Sequence, residues 1–468
     1  MPTEPSARAP LAFDLLQRIV RVERAEMAAM LWSFAYFMCL LCGYYLLRPV
    51  RDEMGIQGGV ANLQWLFTGT FVTMLAIVPV FGWVSSRFPR RLFLPAVYLF
   101  FVANLLTFFV LMESGVAARW VASAFFIWLS VFNLFVVSVF WSFMADLFRN
   151  EQARRLFGFI AAGGSAGALI GPSLTAYLAP VTGPALMLPI SACFLLAAVL
   201  CILRLNAWAG SRSDKPVTGL ASGEAIGGGV LDGIRLLLRS DYLLSISLYV
   251  VLFTVLSTFL YFQQAYLVSA EISDPGQRTA LFALIDLIVN GLTIIGQLLV
   301  VSRLIQYIGL ALTLTLLPAV AVVGFALLGV FPTLLVLVVF GVIRRAGEYA
   351  ISKPAREILF TVVSPQEKYK AKNVIDTVVY RGGDAVSSWL FEGLRVLGLG
   401  FSGIAFAGVP IAALWAVNGY LLGRRQEQLR AALSAKRRAP FDESTPTPIP
   451  AHGGAGQPGI GVSAPEQR

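Results

Sequence analysis

Asp376, Arg381, Asp384, Glu392 and Arg395 fall within residues 373–399, a stretch otherwise long and apolar enough to cross a bilayer. A charge near the bilayer centre costs at least about 2.5–3.5 kcal/mol on insertion scales, so a span that keeps several must turn them toward partners, water or a ligand. Other charges cluster in the same way. Tyr44, Arg48 and Arg51 share one helical face at i, i+4 and i+7, and Asp52 and Glu53 follow. Asp146 precedes Arg149, Glu151, Arg154 and Arg155; Asp286, Asn290 and Gln297 share another face; Lys353, Arg356 and Glu357 lead to Lys368, Lys370 and Lys372. Guanidinium and ammonium groups facing a cavity recognise anions. Asp286 has no cation within one turn of its own span, so it is paired across helices, hydrated or protonated. Arg381 and Asp384, at i and i+3, read either as ligand-facing groups or as a pair that neutralises itself.

The elements that must position these groups are transmembrane helices. In 468 residues, 57% are apolar and 13% charged, with a mean hydropathy of +0.75, which excludes an ordinary soluble protein. Windows of about 20 apolar residues give twelve spans, at 27–47, 64–85, 92–112, 119–145, 156–179, 185–205, 241–268, 280–302, 309–330, 332–350, 373–397 and 402–423. The expected fold is therefore an all-α polytopic membrane protein. It divides into an N-terminal segment 1–26, a six-helix bundle 27–205, a polar linker 206–240, a second six-helix bundle 241–423 and a basic, Pro/Gly-rich tail 424–468, whose first part reads as a short basic helix on the membrane surface.

Charge bias gives the orientation. With both termini cytoplasmic, Lys and Arg fall in cytoplasmic segments except Arg48, Arg51, Arg119, Arg278 and Arg395 at outer ends and Arg381 within a span. The net charge of +10 is thus mostly topology and calls for no nucleic acid. Residues 1–26 lack a separate apolar region and cleavage site, so the first span reads as an uncleaved anchor in an inner or plasma membrane.

Catalytic signals are missing. There is no phosphate-cradling G-x-x-x-x-G-K-[ST] and no H-E-x-x-H, and the single histidine, His452, lies in the tail, so neither an enzyme nor a metal or cofactor is expected. Cys39 and Cys42 spell C-x-x-C without a second pair and read as packing residues. Gly398, Gly400 and Gly403 spell G-x-G-x-x-G in a hairpin between helices and read as turn glycines. Gly163, Gly167 and Gly171 recur every fourth residue, a smooth strip for close helix contact.

The halves are pseudo-symmetric. Gln152-Ala153-Arg154-Arg155 followed by Gly163-Gly164 echoes Lys370-Ala371-Lys372-Asn373 followed by Gly382-Gly383, each at the fifth span of its half. Parallel repeats place a substrate site near the midplane between halves. GWVSSRFPRR, residues 82–91, resembles the loop signature of the major facilitator superfamily, with Ser86 for the usual Asp and Pro89 for Gly.

A more specific resemblance lies in the run from Arg356-Glu357 through Lys368-x-Lys370-x-Lys372 to Asp376, which is similar, without a gap, to a block of the non-mitochondrial ATP/ADP translocases, nucleotide antiporters of plastids and intracellular bacteria. Tyr45-x-x-Arg48-x-x-Arg51-Asp52 and the segment from Phe140-Trp141 through Asp146 to Ala153-Arg154-Arg155 resemble that family's first and fourth spans. Arg51 stands for a Lys and Asp146 for a Glu. Gly383-Asp384-Ala385 replaces G-K-S, an anion where the family has a phosphate-attracting cation.

The resemblance implies a secondary transporter working by alternating access on an anionic small molecule, phosphorylated or nucleotide-like, by exchange. The cavity is expected on spans 1, 4, 5, 7, 8, 10 and 11, with Tyr44, Arg48, Arg51, Asp286, Asn290, Lys353, Arg381 and Asp384 as substrate residues. Asp146, Arg154, Arg356, Glu357, Lys372 and Asp376 are expected to form gate ion pairs. Proton coupling through Asp286 and Asp384, or a non-transporting scaffold or receptor, are the alternatives.

Overall fold

In hydrocarbon a chain can satisfy its backbone hydrogen bonds only as helices or closed barrels, and the apolar runs of this chain form helices. The computed structural model describes residues 22–87, 90–210 and 230–438; among these there is no strand. The first half comprises α1 (Arg24–Gln57), α2 (Leu63–Arg87), α3 (Arg90–Ser114), α4 (Ala118–Leu147), α5 (Asn150–Thr182) and α6 (Met187–Gly210). After a short α7 (Val230–Arg239) the second half comprises α8 (Asp241–Glu271), α9 (Pro275–Leu299), α10 (Val301–Val330), α11 (Leu334–Gly347), α12 (Lys353–Leu359), α13 (Pro365–Val374), α14 (Tyr380–Val396) and α15 (Phe401–Arg438).

Ten of the described helices are long and apolar enough to cross a membrane. The expected spans at 332–350 and 373–397 complete the twelve-helix arrangement in another form. A π-helical turn, Glu348–Ser352, joins α11 to α12, and a second, Ile375–Val379, joins α13 to α14. Such turns insert an extra residue into the helix and concentrate at functional sites. Helix starts follow local chemistry: Asp274 Oδ1 accepts from Gln277 N at 2.7 Å with Pro275 at the first helical position, and Ser364 with Glu367 forms a capping box on α13.

Two main cores form, one within the first bundle and one centred on the second that also takes in Ile56, Leu63, Leu66 and Phe126 of the first. One gathers Tyr36, Phe125, Phe132, Phe140 and Leu195 from α1, α4 and α6; the other gathers Tyr249, Phe259, Phe325, Phe391 and Trp415 from α8, α10, α14 and α15. The glycine strip on α5 acts as expected. A methyl at Gly163, Gly167 or Gly171 would collide with the backbone oxygens of Phe34, Met38 and Cys42, so α5 lies directly on the backbone of α1. Cys39 and Cys42 are buried on α1, and Gly398 adopts a φ of 88° in the turn before α15.

The basic segment after residue 424 differs from the sequence expectation. It runs on from α15 without a break, and 38 residues at about 1.5 Å each span about 57 Å, more than the 40–45 Å or so of a bilayer with its headgroups. Glu427 fastens it to the bundle: its Oε1 accepts from Leu310 N at 3.1 Å and Ala311 N at 3.4 Å, just past the bend where Gly309 takes a φ of 77°. The expected linker ends in α7, whose Gly233 packs against Lys370 of α13. Residues 1–21, 211–229 and 439–468, including His452, and positions 88 and 89 of the GWVSSRFPRR loop lie outside the described residues.

Candidate functional site

Between the bundles lies a cavity of about 660 Å³. α1, α2 and α4 line it from one half; α8, α11, α12, α14 and both π turns line it from the other. Arg48, Arg51, Arg344, Arg345, Lys353, Arg356 and Arg381 bring positive charge, against the carboxylates of Asp52, Glu348, Asp376 and Asp384, so the wall carries a cationic excess. Aromatic rings complete it, among them Tyr44, Tyr45, Phe67, Phe126, Tyr261, Tyr349 and Tyr380. Helical periodicity did its work on α1: Tyr44, Arg48 and Arg51 all face the cavity. The helix continues ten residues past the expected span end at 47, so these arginines sit inside it and not at its outer limit.

Asp286 resolves its three alternatives by pairing across helices. Its Oδ1 accepts from Arg345 Nη2 of α11 at 2.5 Å, and its Oδ2 lies 3.5 Å from Arg48 Nε of α1. The carboxylate thus stands behind the cavity wall and ties the halves through Arg48. A second tie is denser: Arg278 of α9 donates to both oxygens of Glu53 on α1, at 2.7 and 2.6 Å, with the glutamate side chain 0% exposed. Tyr261 donates to Asp52 Oδ1 at 3.1 Å, and Trp389 Nε1 to Thr68 Oγ1 at 3.0 Å beside an edge-on Trp65. These contacts lie at the end of α1 away from the chain termini.

Toward the termini the charges pair within their own halves. Lys372 Nζ meets Glu357 Oε2 at 2.5 Å, and Arg356 lies 3.8 Å from Glu348 and 3.9 Å from Asp376, all in the second half. In the first half Arg155 Nη2 meets Glu26 Oε1 at 3.1 Å, while Arg154 and Asp146 are exposed. The described pairs of the expected gate residues are confined to one bundle or the other, whereas the Glu53–Arg278 pair joins the bundles at the far end.

The sequence expectation needs correction on two spans. α5 and α9, expected to line the cavity, do not; α2 does, through Phe67, Thr70 and Phe71. The glycines of α5 have no side chain to extend into a cavity and are spent on α1. On α9, Asn290 donates to Ala168 O of α5 at 2.8 Å, joining the halves away from the lining, and Gln297 donates to Tyr349 O at 3.2 Å. Lys353, Arg381 and Asp384 do line the cavity; Arg381 Nη1 lies 3.7 Å from Asp384 Oδ2, with the two side chains 37% and 16% exposed. Glu392 and Arg395 form their own pair at 2.6 Å near the end of α14.

Arg344, Arg345 and Glu348 went unnoticed in the sequence because they look like the cytoplasmic end of a short span. The helix instead runs through the π turn to Leu359, which puts them near its middle. Their signal was the i, i+4 spacing of Arg344 and Glu348 directly after ten apolar residues.

The profile of the Major Facilitator Superfamily matches residues 27–366. No curated protein sequence matches. Among solved structures, a bacterial homologue of the iron transporter ferroportin in an inward-facing state superposes with a TM-score of 0.62 at 13% identity, over 86% of this chain and 98% of that one. A bacterial homologue of the human lysosomal transporter Spinster, inward-facing and unoccupied, gives 0.58 at 14% over 87% and 99%. The nucleoside transporter NupG gives 0.56 at 14% over 87% and 99%. At these identities the likeness is one of fold.

Proposed function

This chain belongs to the major facilitator superfamily, and from that premise we propose that it is a secondary transporter that exchanges an anionic solute, phosphorylated or nucleotide-like, across an inner or plasma membrane. The observation that carries the reading is the cavity wall, in which cationic groups outnumber carboxylates and alternate with aromatic rings. Arginine forks bind carboxylate and phosphate oxygens in bidentate fashion, and ring faces receive a planar base or apolar body. A cavity of about 660 Å³ falls in the range of roughly 300–1,000 Å³ that holds a drug-sized molecule.

Alternating access follows from two bundles with a midplane site. With both termini cytoplasmic, the end at which the Glu53–Arg278 pair joins the bundles faces outward. Rocking the bundles would separate that pair and bring Arg154 and Asp146 of the first half toward Arg356, Glu357, Lys372 and Asp376 of the second. Tyr44, Arg48, Arg51, Lys353 and Arg381 would then meet the solute. The resemblance to ATP/ADP translocases supports the nucleotide-like class; Asp384, in the position of a cation in that family, narrows the overlap. No resident metal or cofactor enters this scheme.

The test is counterflow. Proteoliposomes loaded with unlabelled ADP should take up labelled ADP several-fold faster than empty ones, without response to a protonophore. Uptake that collapses with the protonophore would instead favour proton-coupled transport, a reading that draws on Asp384 in the cavity and Asp286 behind it. No uptake of any nucleotide or phosphate ester would refute the anionic assignment.

A further inference from the structure

From behind the wall, Asp286 holds two guanidinium groups that also face the cavity. Its side chain is 1% exposed and outside the lining, whereas its partners Arg48 and Arg345 are 15% and 17% exposed and face the cavity. Each of these guanidinium groups therefore turns one side to Asp286 and the other to the passage. The grip on Asp286 is incomplete, because its Oδ2 is buried without a hydrogen bond. Beside Arg345 in the chain, Arg344 is 5% exposed, takes part in no ion pair within 4 Å among the described residues and leaves its buried Nε without a hydrogen-bond partner, its guanidinium 5.6 Å from the Phe253 ring centre. A buried guanidinium without an acceptor is costly unless something else supplies one.

The seven cationic groups of the wall face its four carboxylates and Asp286 behind it, which leaves two positive charges unmatched. A terminal phosphoryl group, bearing about two negative charges, would balance them. Resting on the anion reading above, we infer that Arg344, with the cavity-facing sides of Arg48 and Arg345, seats the dianionic group of the solute, and that Asp286 is a resident counter-anion that the solute displaces. Displacement loosens the Arg48–Asp286 tie between α1 and α9, and departure of the solute restores it. The empty carrier is tied and the loaded one is freed to rock, which is a physical reason for exchange over one-way flow.

Pyrophosphate is the probe, since it carries the anionic group without a base or sugar. Its affinity is read from thermal shift and titration calorimetry on purified wild type, D286N and R344Q, with ADP in parallel. D286N should bind pyrophosphate at least about threefold more tightly, since its competitor is gone, and R344Q about tenfold or more weakly, the usual effect of truncating a desolvated charge contact. Without pyrophosphate D286N should melt below wild type, and the gap should close as pyrophosphate is added, which a purely structural carboxylate would not do. Where D286N does not accumulate, D286N/R345Q is compared with R345Q alone: with the competitor gone it should bind pyrophosphate at least about threefold more tightly than R345Q, and equal or weaker binding counts against the competition. Wild type binding with D286N unchanged or weaker overturns this inference and leaves the anion reading standing. Absence of any response to pyrophosphate and ADP in both proteins removes both.

Discussion

Arg381 and Asp384 stand one turn apart on α14 and both face the cavity, so the charge offered to a solute there depends on their balance. A half-exposed pair of this kind is worth on the order of 1 kcal/mol, because water screens it. Asp384→Asn should therefore tighten ADP binding by about fivefold, measured by calorimetry; weaker binding would mean that the carboxylate itself contacts the solute. Arg381→Ala should abolish exchange at unchanged membrane abundance, scored by counterflow and immunoblot. If it transports normally, the guanidinium is architectural. The sequence made Arg381 and Asp384 visible because charge in an apolar run is rare. It did not expose Arg344 and Arg345, since charges beside a span end are common and mean topology far more often than binding.

Helix α5 depends on having no side chains where it meets α1. Gly167→Val would put a branched Cβ into the Met38 oxygen and the backbone of Cys42, and overpacking of this kind costs about 1–3 kcal/mol, more where backbone must shift. The expected result is a lower melting temperature in detergent and reduced exchange, while Gly158→Val on the same helix, where a side chain meets open space, should be tolerated. This contact was legible from a four-residue period alone. The π turns after α11 and α13 were not, because an extra residue in a helix leaves no trace in hydrophobic periodicity over so short a length. Missing them shortened the span at 332–350 and so misplaced its arginines.

The two bundles are joined at the far end by a buried ion pair that has exchanged its water for one partner. Removing one member of such a pair costs about 3–5 kcal/mol, since the other charge stays buried and unpaired. Glu53→Gln should destabilise the state that is closed at the far end, lowering the melting temperature and raising the labelling of a cysteine placed near Arg278 by an impermeant reagent added outside. The exchanged pair E53R/R278E should recover part of both. If Glu53→Gln changes neither stability nor labelling, the pair is not what holds that end shut.

The sequence by itself determined the twelve-helix plan, its two halves, the helical face shared by Tyr44, Arg48 and Arg51, and the glycine contact of α5. Hydropathy and period are properties of neighbours along one chain, and these features need nothing more. Tertiary structure decided which faces meet: that Asp286 answers Arg48 and Arg345, that α2 and not α5 or α9 lines the cavity, and that Glu53 finds Arg278. Those pairings join residues far apart in the chain, and their partners are chosen by how the bundles pack against one another.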